Sequence, residues 1–215
     1  MNRRLFSATS ASLVASALLW PAGAVWSQGP GPVEGKDFTR LDPPQPVREA
    51  GKIEVLEFFS YACPHCSSFE PTLDNWARQL PADVVLRRVP VPFLMNAENF
   101  QRTYYALESL GLVPTVQQKI FRAIHIDRQR LEKPEDIAAF VAKNGGDEAK
   151  FLAAFKSFSV ATSVNRAKKA VADYKVESVP MLVVNGRFVT SPSMAGGAVQ
   201  TLAVADQLIQ RSRAK

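Results

Sequence analysis

The sequence contains little cysteine and little histidine, with two residues of each among 215. Two cysteines form at most one intramolecular disulfide, which excludes the multiply cross-linked frameworks of small secreted domains. A structural zinc site requires four ligands. Here His65 lies between the two cysteines, and His125 lies in "KIFRAIHID", a helical pattern in which we interpret it as a packing or surface residue. The sequence therefore predicts no metal site.

Long apolar runs are also scarce. The stretch from Leu5 to Trp20 contains several Ser and Thr residues and is shorter than the roughly 20 residues that span a bilayer. It follows two arginines and precedes small residues, an order typical of a secretory signal peptide. We therefore predict a signal peptide at residues 1–27, cleaved after Ser27 or Ala24, and a soluble exported protein.

The sequence has only a small excess of basic over acidic residues. The formal net charge is +6, and it becomes +4 once the two leader arginines are removed. The densest basic segment, "NRAKKAVADYK", spreads its charges around an amphipathic helix, so we predict no nucleic-acid partner. A hydrophobic content of 47% is typical of a chain with a globular core and excludes intrinsic disorder.

Both cysteines lie in one short segment, "VLEFFSYACPHCSSFEP", as Cys63 and Cys66. A bridge between them would close a short loop, which on the chain-entropy model stabilises a fold by about 2 kcal/mol before strain is subtracted. A structural disulfide, or half of a zinc site, therefore explains the pair poorly. What remains is redox chemistry, in which the two sulfurs alternate between dithiol and disulfide.

The residues around the cysteines predict a strand followed by a helix. "KIEVLEFFSY" is an almost continuous run of apolar, β-branched and aromatic residues, typical of a strand buried on both faces. "CSSFEPTLDNWARQL" places Phe69, Leu73, Trp76 and Leu80 at helical spacing. Cys63 is therefore expected in the first turn of the helix.

That position has an electrostatic consequence for Cys63. Unpaired backbone N–H groups and the helix dipole favour negative charge there, so we expect the Cys63 thiolate to be stabilised and its pKa lowered. His65 adds to this effect by its charge or by a hydrogen bond, and Pro64 suits an early helical position. Cys66 lies one turn further in and is predicted to be the more buried, resolving thiol.

The segment "FFSYACPHC" resembles the active-site stretch of the DsbA family of bacterial periplasmic thiol:disulfide oxidoreductases. Together with the leader and a distant "SVPMLVVNGRFV", the resemblance covers roughly residues 36–212. It implies an α/β, thioredoxin-like fold with a helical insertion domain. The thioredoxin-like domain is then expected at residues 28–95 and 166–215, and the inserted helical domain at 96–165. An acidic Cys63 and an oxidising potential are likewise implied by the resemblance.

The second matching segment, "ESVPMLVVNGRFV", predicts a hairpin. Met181–Val184 is expected to form a strand, Asn185-Gly186 a tight turn, and Arg187–Thr190 the partner strand. The resemblance implies that the Val179–Pro180 bond is cis and faces the cysteine motif. It also implies that the backbone of Val179 pairs with an extended client peptide, with Pro180 and His65 beside it.

Glu57 is a charged residue inside the apolar strand. Burial there is expected to raise its pKa. Its position six residues before Cys63 matches a buried acid that relays protons in the family, and the resemblance implies a basic residue near it on the next strand. Arg88 is the closest match and Arg87 the alternative. The family more often has lysine at this place, and arginine stays protonated, so we do not assign proton relay to either arginine.

The remaining segments complete the expected order of elements. "KDFTRL" and Val84–Val89 are predicted strands, and apolar stripes at helical spacing fill the region from about Asn96 to Asn165. One of these helices is expected to begin at Pro134, and another is expected to be capped by Asp147. A long helix through Tyr174 and a last helix after Gly197 follow.

The sequence thus predicts a monomeric periplasmic enzyme that oxidises unfolded or newly exported cysteine-containing proteins by exchange through Cys63-Pro64-His65-Cys66. It is expected to use no cofactor beyond this disulfide and to be reoxidised by a quinone-linked membrane oxidase of the DsbB type, as the resemblance implies. Two alternatives stay open. One is a disulfide isomerase or reductase, and the other is a non-enzymatic periplasmic thiol- or metal-binding protein.

Overall fold

The structure is a computed structural model that describes residues 31–214. The strands are β1 Thr39–Arg40, β2 Ile53–Phe59, β3 Val84–Pro90, β4 Met181–Val184 and β5 Phe188–Thr190. The helices are α1 Pro64–Ala77, α2 Ala97–Ser109, α3 Val113–His125, α4 Pro134–Lys143, α5 Glu148–Lys156, α6 Phe158–Asp173, α7 Pro192–Ala195 and α8 Ala198–Arg213. The signal peptide predicted for residues 1–27 lies outside the described residues.

The strands form one sheet in the order β1-β5-β4-β2-β3. The apolar strand β2 lies inside it, parallel to β3 and antiparallel to β4, and all seven of its residues are buried. This burial is what a nearly continuous apolar run requires, because side chains on both faces of such a strand must leave water. The strand predicted within "KIEVLEFFSY" is thus confirmed as β2.

Each face of the sheet is covered by helices. On one face Val55 packs in a cluster with Phe69 of α1 and Leu208 of α8. On the other face Leu56 belongs to a larger cluster that includes residues from α2 to α6. Because successive residues of a strand point to opposite faces, one short segment supplies the core on both sides of the sheet.

The predicted helical region is confirmed as the five helices α2 to α6. Pro134 stands at the first position of α4, and the Asp147 side chain caps α5 by accepting a hydrogen bond from Lys150 N at 2.8 Å. The domain bounds 28–95, 96–165 and 166–215 stay a prediction, and residue 165 lies inside α6. Within residues 31–214 no helix combines the length and the apolar character needed to cross a bilayer.

Two short elements differ from the expectation. The predicted strand in "KDFTRL" is reduced to β1, because only two residues pair with β5 at the sheet edge. The helix α7 was not predicted, because four residues are too few to show a periodic pattern. Its signals are local ones: Ser191 caps it by accepting from Met194 N, and Pro192 occupies its first position.

The turn between β4 and β5 is the predicted Asn185-Gly186 pair. Both residues have positive φ, 52° and 63°, as a tight hairpin turn requires. The backbone of Gln45 also packs directly against Gly186, and Gln45 N donates to Gly186 O at 2.8 Å. A Cβ atom at Gly186 would overlap the carbonyl oxygen of Gln45. Both the φ angle and this close approach therefore require glycine.

Gly186→Ala is expected to lower the free energy of unfolding by about 2 to 4 kcal/mol, because a left-handed backbone and a clash with rigid backbone both add to the cost. The matched control is Gly111→Ala, where φ is 68° but no atom lies within 4 Å of the added methyl group. This control should lose only about 1 kcal/mol. Urea unfolding of both variants measures the difference, and equal losses would show that the Gln45 contact is unimportant.

Candidate active site

The sulfur of Cys63 caps the helix that follows it. Cys63 is the N-cap residue of α1, with an extended backbone (φ −90°, ψ 116°), and its Sγ accepts a hydrogen bond from Cys66 N at 3.3 Å. A turn after Phe59 brings it there, in which Cys63 N donates to Ser60 O at 3.1 Å. Pro64 takes the first helical position, where its missing N–H would have had no partner.

These contacts lower the pKa of Cys63 to about 6. The hydrogen bond from the Cys66 side chain contributes most. Burial opposes it, whereas the backbone N–H groups of Cys66 and His65 and the charge of His65 lower the pKa further. His65 itself is exposed. The helix end and the second thiol therefore stabilise the Cys63 thiolate more than the histidine does.

Cys66 has the opposite environment. It is fully buried, whereas Cys63 retains 6% exposure, and both are free thiols in the structure. Burial raises the pKa of Cys66, and its hydrogen bond to Cys63 adds to that rise. At neutral pH the pair therefore consists of a Cys63 anion and a protonated Cys66. The predicted difference in burial between the two thiols is confirmed.

The loop before β4 lies against Cys63. The Val179–Pro180 peptide bond is cis, and Val179 O lies 3.5 Å from Cys63 Sγ. Beside this contact is a cavity of about 420 Å³, which borders α1, the loop before β4, α7 and the start of α8. Its lining residues are His65, Ser68, Phe69, Val179, Pro180, Pro192, Ser193 and Ala198. The expected neighbours of the cysteine motif are thus brought together at one surface depression.

Two buried acids lie beside the motif and share one arginine. Glu57 on β2 stands opposite Arg88 on β3, and Arg88 Nε donates to Glu57 Oε2 at 3.0 Å. Arg88 Nη2 donates to Glu70 Oε1 of α1 at 2.9 Å. The acids are 0% and 1% exposed, and the other oxygen of each has no hydrogen-bond partner among the described residues.

The pKa of Glu57 is raised to about 8: burial contributes most to the rise, the negative charge of Glu70 adds to it, and Arg88 opposes both effects. Burial likewise raises the pKa of Glu70. One guanidinium cannot neutralise two carboxylates, so the pair retains a proton at neutral pH. A proton is therefore stored in the core next to a thiol pair that gains and loses protons.

Two other residues considered from the sequence lie apart from the acid pair. Arg87 is directed away from Glu57 and forms ion pairs with Glu54 at 3.1 Å and Glu49 at 3.2 Å. His125 closes α3, and its Nε2 lies 2.8 Å from Tyr61 O. This is the packing role expected for His125. Among residues 31–214 no three His, Cys, Asp or Glu side chains are grouped so that they could hold a metal ion.

Comparison with known proteins decides the family. A family model described as thioredoxin matches residues 48–201. The thiol:disulfide interchange protein DsbA of Bordetella parapertussis is 41% identical over 205 residues, which cover 95% of this chain and 94% of that protein. The chain belongs to the DsbA family. The α/β, thioredoxin-like fold predicted from the sequence is confirmed.

Solved structures of DsbA proteins superpose closely on this one. The crystal structure of Pseudomonas aeruginosa DsbA gives a TM-score of 0.81 at 41% identity and covers 85% of this chain and 95% of that one. The oxidoreductase DsbA from Xylella fastidiosa gives a TM-score of 0.78 at 32% identity and covers 86% and 99%. The likeness therefore includes nearly the whole of each relative.

Sequence reasoning missed one residue of this DsbA-family site, Glu70. Its signal was present in the helical spacing, because Glu70 stands four residues after Cys66 and three before Leu73, both of them buried on the inner side of α1. An acid between two inward positions is itself expected to face inward. The contact with Arg88, in contrast, depends on the packing of α1 on the sheet.

Cys66→Ala is expected to raise the pKa of Cys63 above its value of about 6, because the largest stabilising hydrogen bond is lost. Titration of the thiolate by its ultraviolet absorbance measures this pKa in the reduced protein. His65→Ala serves as the matched comparison and should produce a smaller rise. A larger rise in His65→Ala than in Cys66→Ala would contradict the assigned order of contributions.

Glu57→Gln is expected to stabilise the reduced protein increasingly as pH rises. The Glu57 pKa is about 8 in the folded protein against 4.5 as its ordinary value, so the wild type loses stability between these pH values and the amide does not. The gain should grow by up to about 1.4 kcal/mol per pH unit.

The control for this experiment is Glu34→Gln, because Glu34 is exposed and its pKa is lowered by the hydrogen bond from Arg40. The Glu34 contribution to stability is complete above its ordinary pKa, so the control should show no trend over the same range. Urea unfolding at several pH values measures both variants. If the difference in unfolding free energy between Glu57→Gln and the wild type did not change with pH, Glu57 would be ionised over the whole pH range and its pKa would not be raised.

Proposed function

We propose that the protein introduces disulfide bonds into exported proteins by dithiol–disulfide exchange through Cys63 and Cys66. As a member of the DsbA family it is a thiol:disulfide oxidoreductase. The proposed direction, oxidation of the client, rests on the capping of α1 by the Cys63 sulfur. An anion accepts the Cys66 N–H better than a disulfide sulfur does, so the fold favours the reduced enzyme and thus accepts electrons.

The exchange proceeds in two steps that conserve electrons. A client thiolate attacks Cys63 Sγ of the oxidised enzyme, a client–Cys63 disulfide forms, and the Cys63–Cys66 bond breaks with its electron pair on Cys66. A second client thiolate then attacks the client sulfur of this mixed disulfide, and Cys63 leaves as a thiolate. The client is oxidised by two electrons and the enzyme is reduced to the dithiol. The low pKa of Cys63 makes it a good leaving group.

We assign Glu57 the supply of a proton to Cys66. When Cys66 leaves in the first step it is an anion in a fully buried site, and its raised pKa favours uptake of a proton. Glu57 is buried, holds a proton near neutral pH and interacts electrostatically with Cys66. Arg88 remains charged throughout, so its role is to position Glu57 and Glu70 and not to transfer the proton.

We place the client peptide in the cavity of about 420 Å³ that His65, Val179 and Pro180 line, here named the client groove. Val179 would pair with an extended client through its backbone, in the manner of strand addition, with Pro180 and His65 on either side. Such main-chain recognition suits an enzyme with many unfolded substrates, because it depends little on side-chain identity. The positions of Val179 O and His65 around Cys63 support this assignment.

The remaining features of the proposal rest on the family and on the predicted leader. We propose that the mature protein works in the periplasm as a monomer, with no cofactor other than its redox-active disulfide. Its clients are unfolded or newly exported proteins that contain cysteines. A quinone-linked membrane oxidase of the DsbB type is proposed to restore the disulfide after each turnover.

The test is oxidative refolding of a reduced protein with several cysteines. The oxidised wild type should restore client disulfides in stoichiometric amount, and Cys63→Ser should leave only the uncatalysed rate because the Cys63–Cys66 disulfide cannot form. Cys66→Ser, activated as a mixed disulfide with glutathione, should accumulate a covalent complex with a client that retains a single cysteine, because neither Cys66 nor a second client thiol can then release it. Equilibration of the wild type with glutathione buffers gives the redox potential in the same preparation.

Each alternative function has its own outcome in this experiment. An isomerase or reductase would act mainly on scrambled disulfides and would show a reducing potential. A thiol- or metal-binding protein would leave the refolding rate unchanged. Either result would overturn the proposal, and so would a Cys63→Ser variant that retained the wild-type rate.

A further inference from the structure

A second cavity lies next to the motif and is separate from the client groove. It has a volume of about 350 Å³ and reaches the motif at Ala62 and Pro64, the two neighbours of Cys63 in sequence. The client groove instead reaches the motif at His65. A polypeptide held at Cys63 Sγ can therefore extend from one cavity to the other. We name this second cavity the flank cavity.

The interior of the flank cavity is apolar. Phe100, Ile124 and Leu131 line it, and of these Phe100 and Leu131 are buried core residues. Met95 stands at its edge with 77% of its surface exposed. An exposed methionine beside an apolar depression is a flexible contact that adapts to different apolar side chains.

The rim of the flank cavity is positively charged. Arg128 and Arg130 line it, and across the described residues neither guanidinium forms an ion pair. Glu132 is the acidic residue that lines the flank cavity, so its rim carries two arginines and one glutamate. His125 is also on the rim, and its Nε2 is engaged with Tyr61 O at 2.8 Å. The two arginines are therefore available to an external carboxylate.

The backbone holds both arginines over the end of α3. Gln129, which lies between them in sequence, donates its N–H to Ala123 O at 2.8 Å, so the segment folds back on the helix. Arg128 has a left-handed backbone with φ of 55°. The arginines are thus carried by a turn that is hydrogen-bonded to the helix next to it.

We propose that the flank cavity binds the part of a client chain adjacent to its reacting cysteine and selects an apolar residue together with an acidic one. The apolar side chain enters the cavity, and the carboxylate pairs with Arg128 or Arg130. This inference rests on the proposed function, because the occupant is a client joined to Cys63. It adds a preference for particular client side chains to the backbone contact with Val179, which depends little on the sequence of the client.

The occupant is argued from position and charge. Ala62 and Pro64 line the cavity, so a polypeptide segment that fills it lies next to Cys63. Arg128 and Arg130, which form no ion pair within residues 31–214, attract an anion to the rim, and the attraction is stronger when little salt is present. Clients with an acidic residue near the cysteine should therefore be oxidised faster than clients with a neutral residue there.

The experiment compares matched peptides, each with two cysteines and one leucine beside the first of them. Members of the set differ only in one residue, Glu or Gln, placed at successive positions on either side of that cysteine. At low ionic strength the wild type should oxidise the best Glu peptide about three- to fivefold faster than its Gln partner, the size expected for an exposed charge pair. The ratio should approach one at high salt.

The double variant Arg128→Gln/Arg130→Gln should abolish this ratio and retain the wild-type rate on the Gln peptides. The matched control is Lys150→Gln/Lys168→Gln, which removes the same charge from exposed positions on α5 and α6. The control should retain the ratio. No preference in the wild type, or an equal preference in the Arg128→Gln/Arg130→Gln variant, would overturn the inference.

A redox-inert set of the peptides, with serine in place of cysteine, separates this inference from the proposed function. Binding of these peptides, measured by calorimetry, should show the same Glu preference whether or not any peptide is oxidised. If instead the arginine variant binds all peptides normally and is reoxidised more slowly by membranes that contain a DsbB-type oxidase, the cavity serves that partner and the client inference is wrong.

Discussion

The hydrogen bond from Cys66 N to the sulfur of Cys63 is the interaction on which the function of this protein depends. A helix N-terminus needs an acceptor for its free N–H groups, and here the acceptor is a redox-active atom. The same contact therefore belongs to the fold and to the chemistry. Whenever the sulfur becomes an anion, the helix gains a better cap, so the folding of α1 itself contributes to the oxidising power of the pair.

The buried acids Glu57 and Glu70 have the opposite requirement for a proton. The helix end favours a sulfur without its proton, whereas the core around Glu57 and Glu70 favours carboxyl groups that keep theirs. Arg88 is fixed between them and has no proton to give. The distribution of protons between the Cys63 thiol and the buried acids in the reduced protein is thus set by the helix end, by burial and by a single permanent charge.

Local patterns predicted most of the fold, and long-range packing determined what they missed. The apolar strand β2, the motif helix and the Asn185-Gly186 hairpin each carry their signal within a few residues. β1 and α7 are too short for any periodic signal. The choice between Arg88 and Arg87 needed the β2–β3 register, because adjacent residues of a strand face opposite sides. The charged rim of the flank cavity needed the turn that follows α3, and no pattern in the sequence indicates where that turn lies.

The contact between Cys63 and Val179 joins residues that are 116 positions apart. A polypeptide is synthesised from its amino end, so the thiol pair leaves the ribosome well before the strand that faces it. During that interval β2 has no antiparallel neighbour, and the cysteines lack the loop that contains Val179. The surface around the two sulfurs is therefore complete only when the carboxyl-terminal segment of the chain has been made and has folded back against β2.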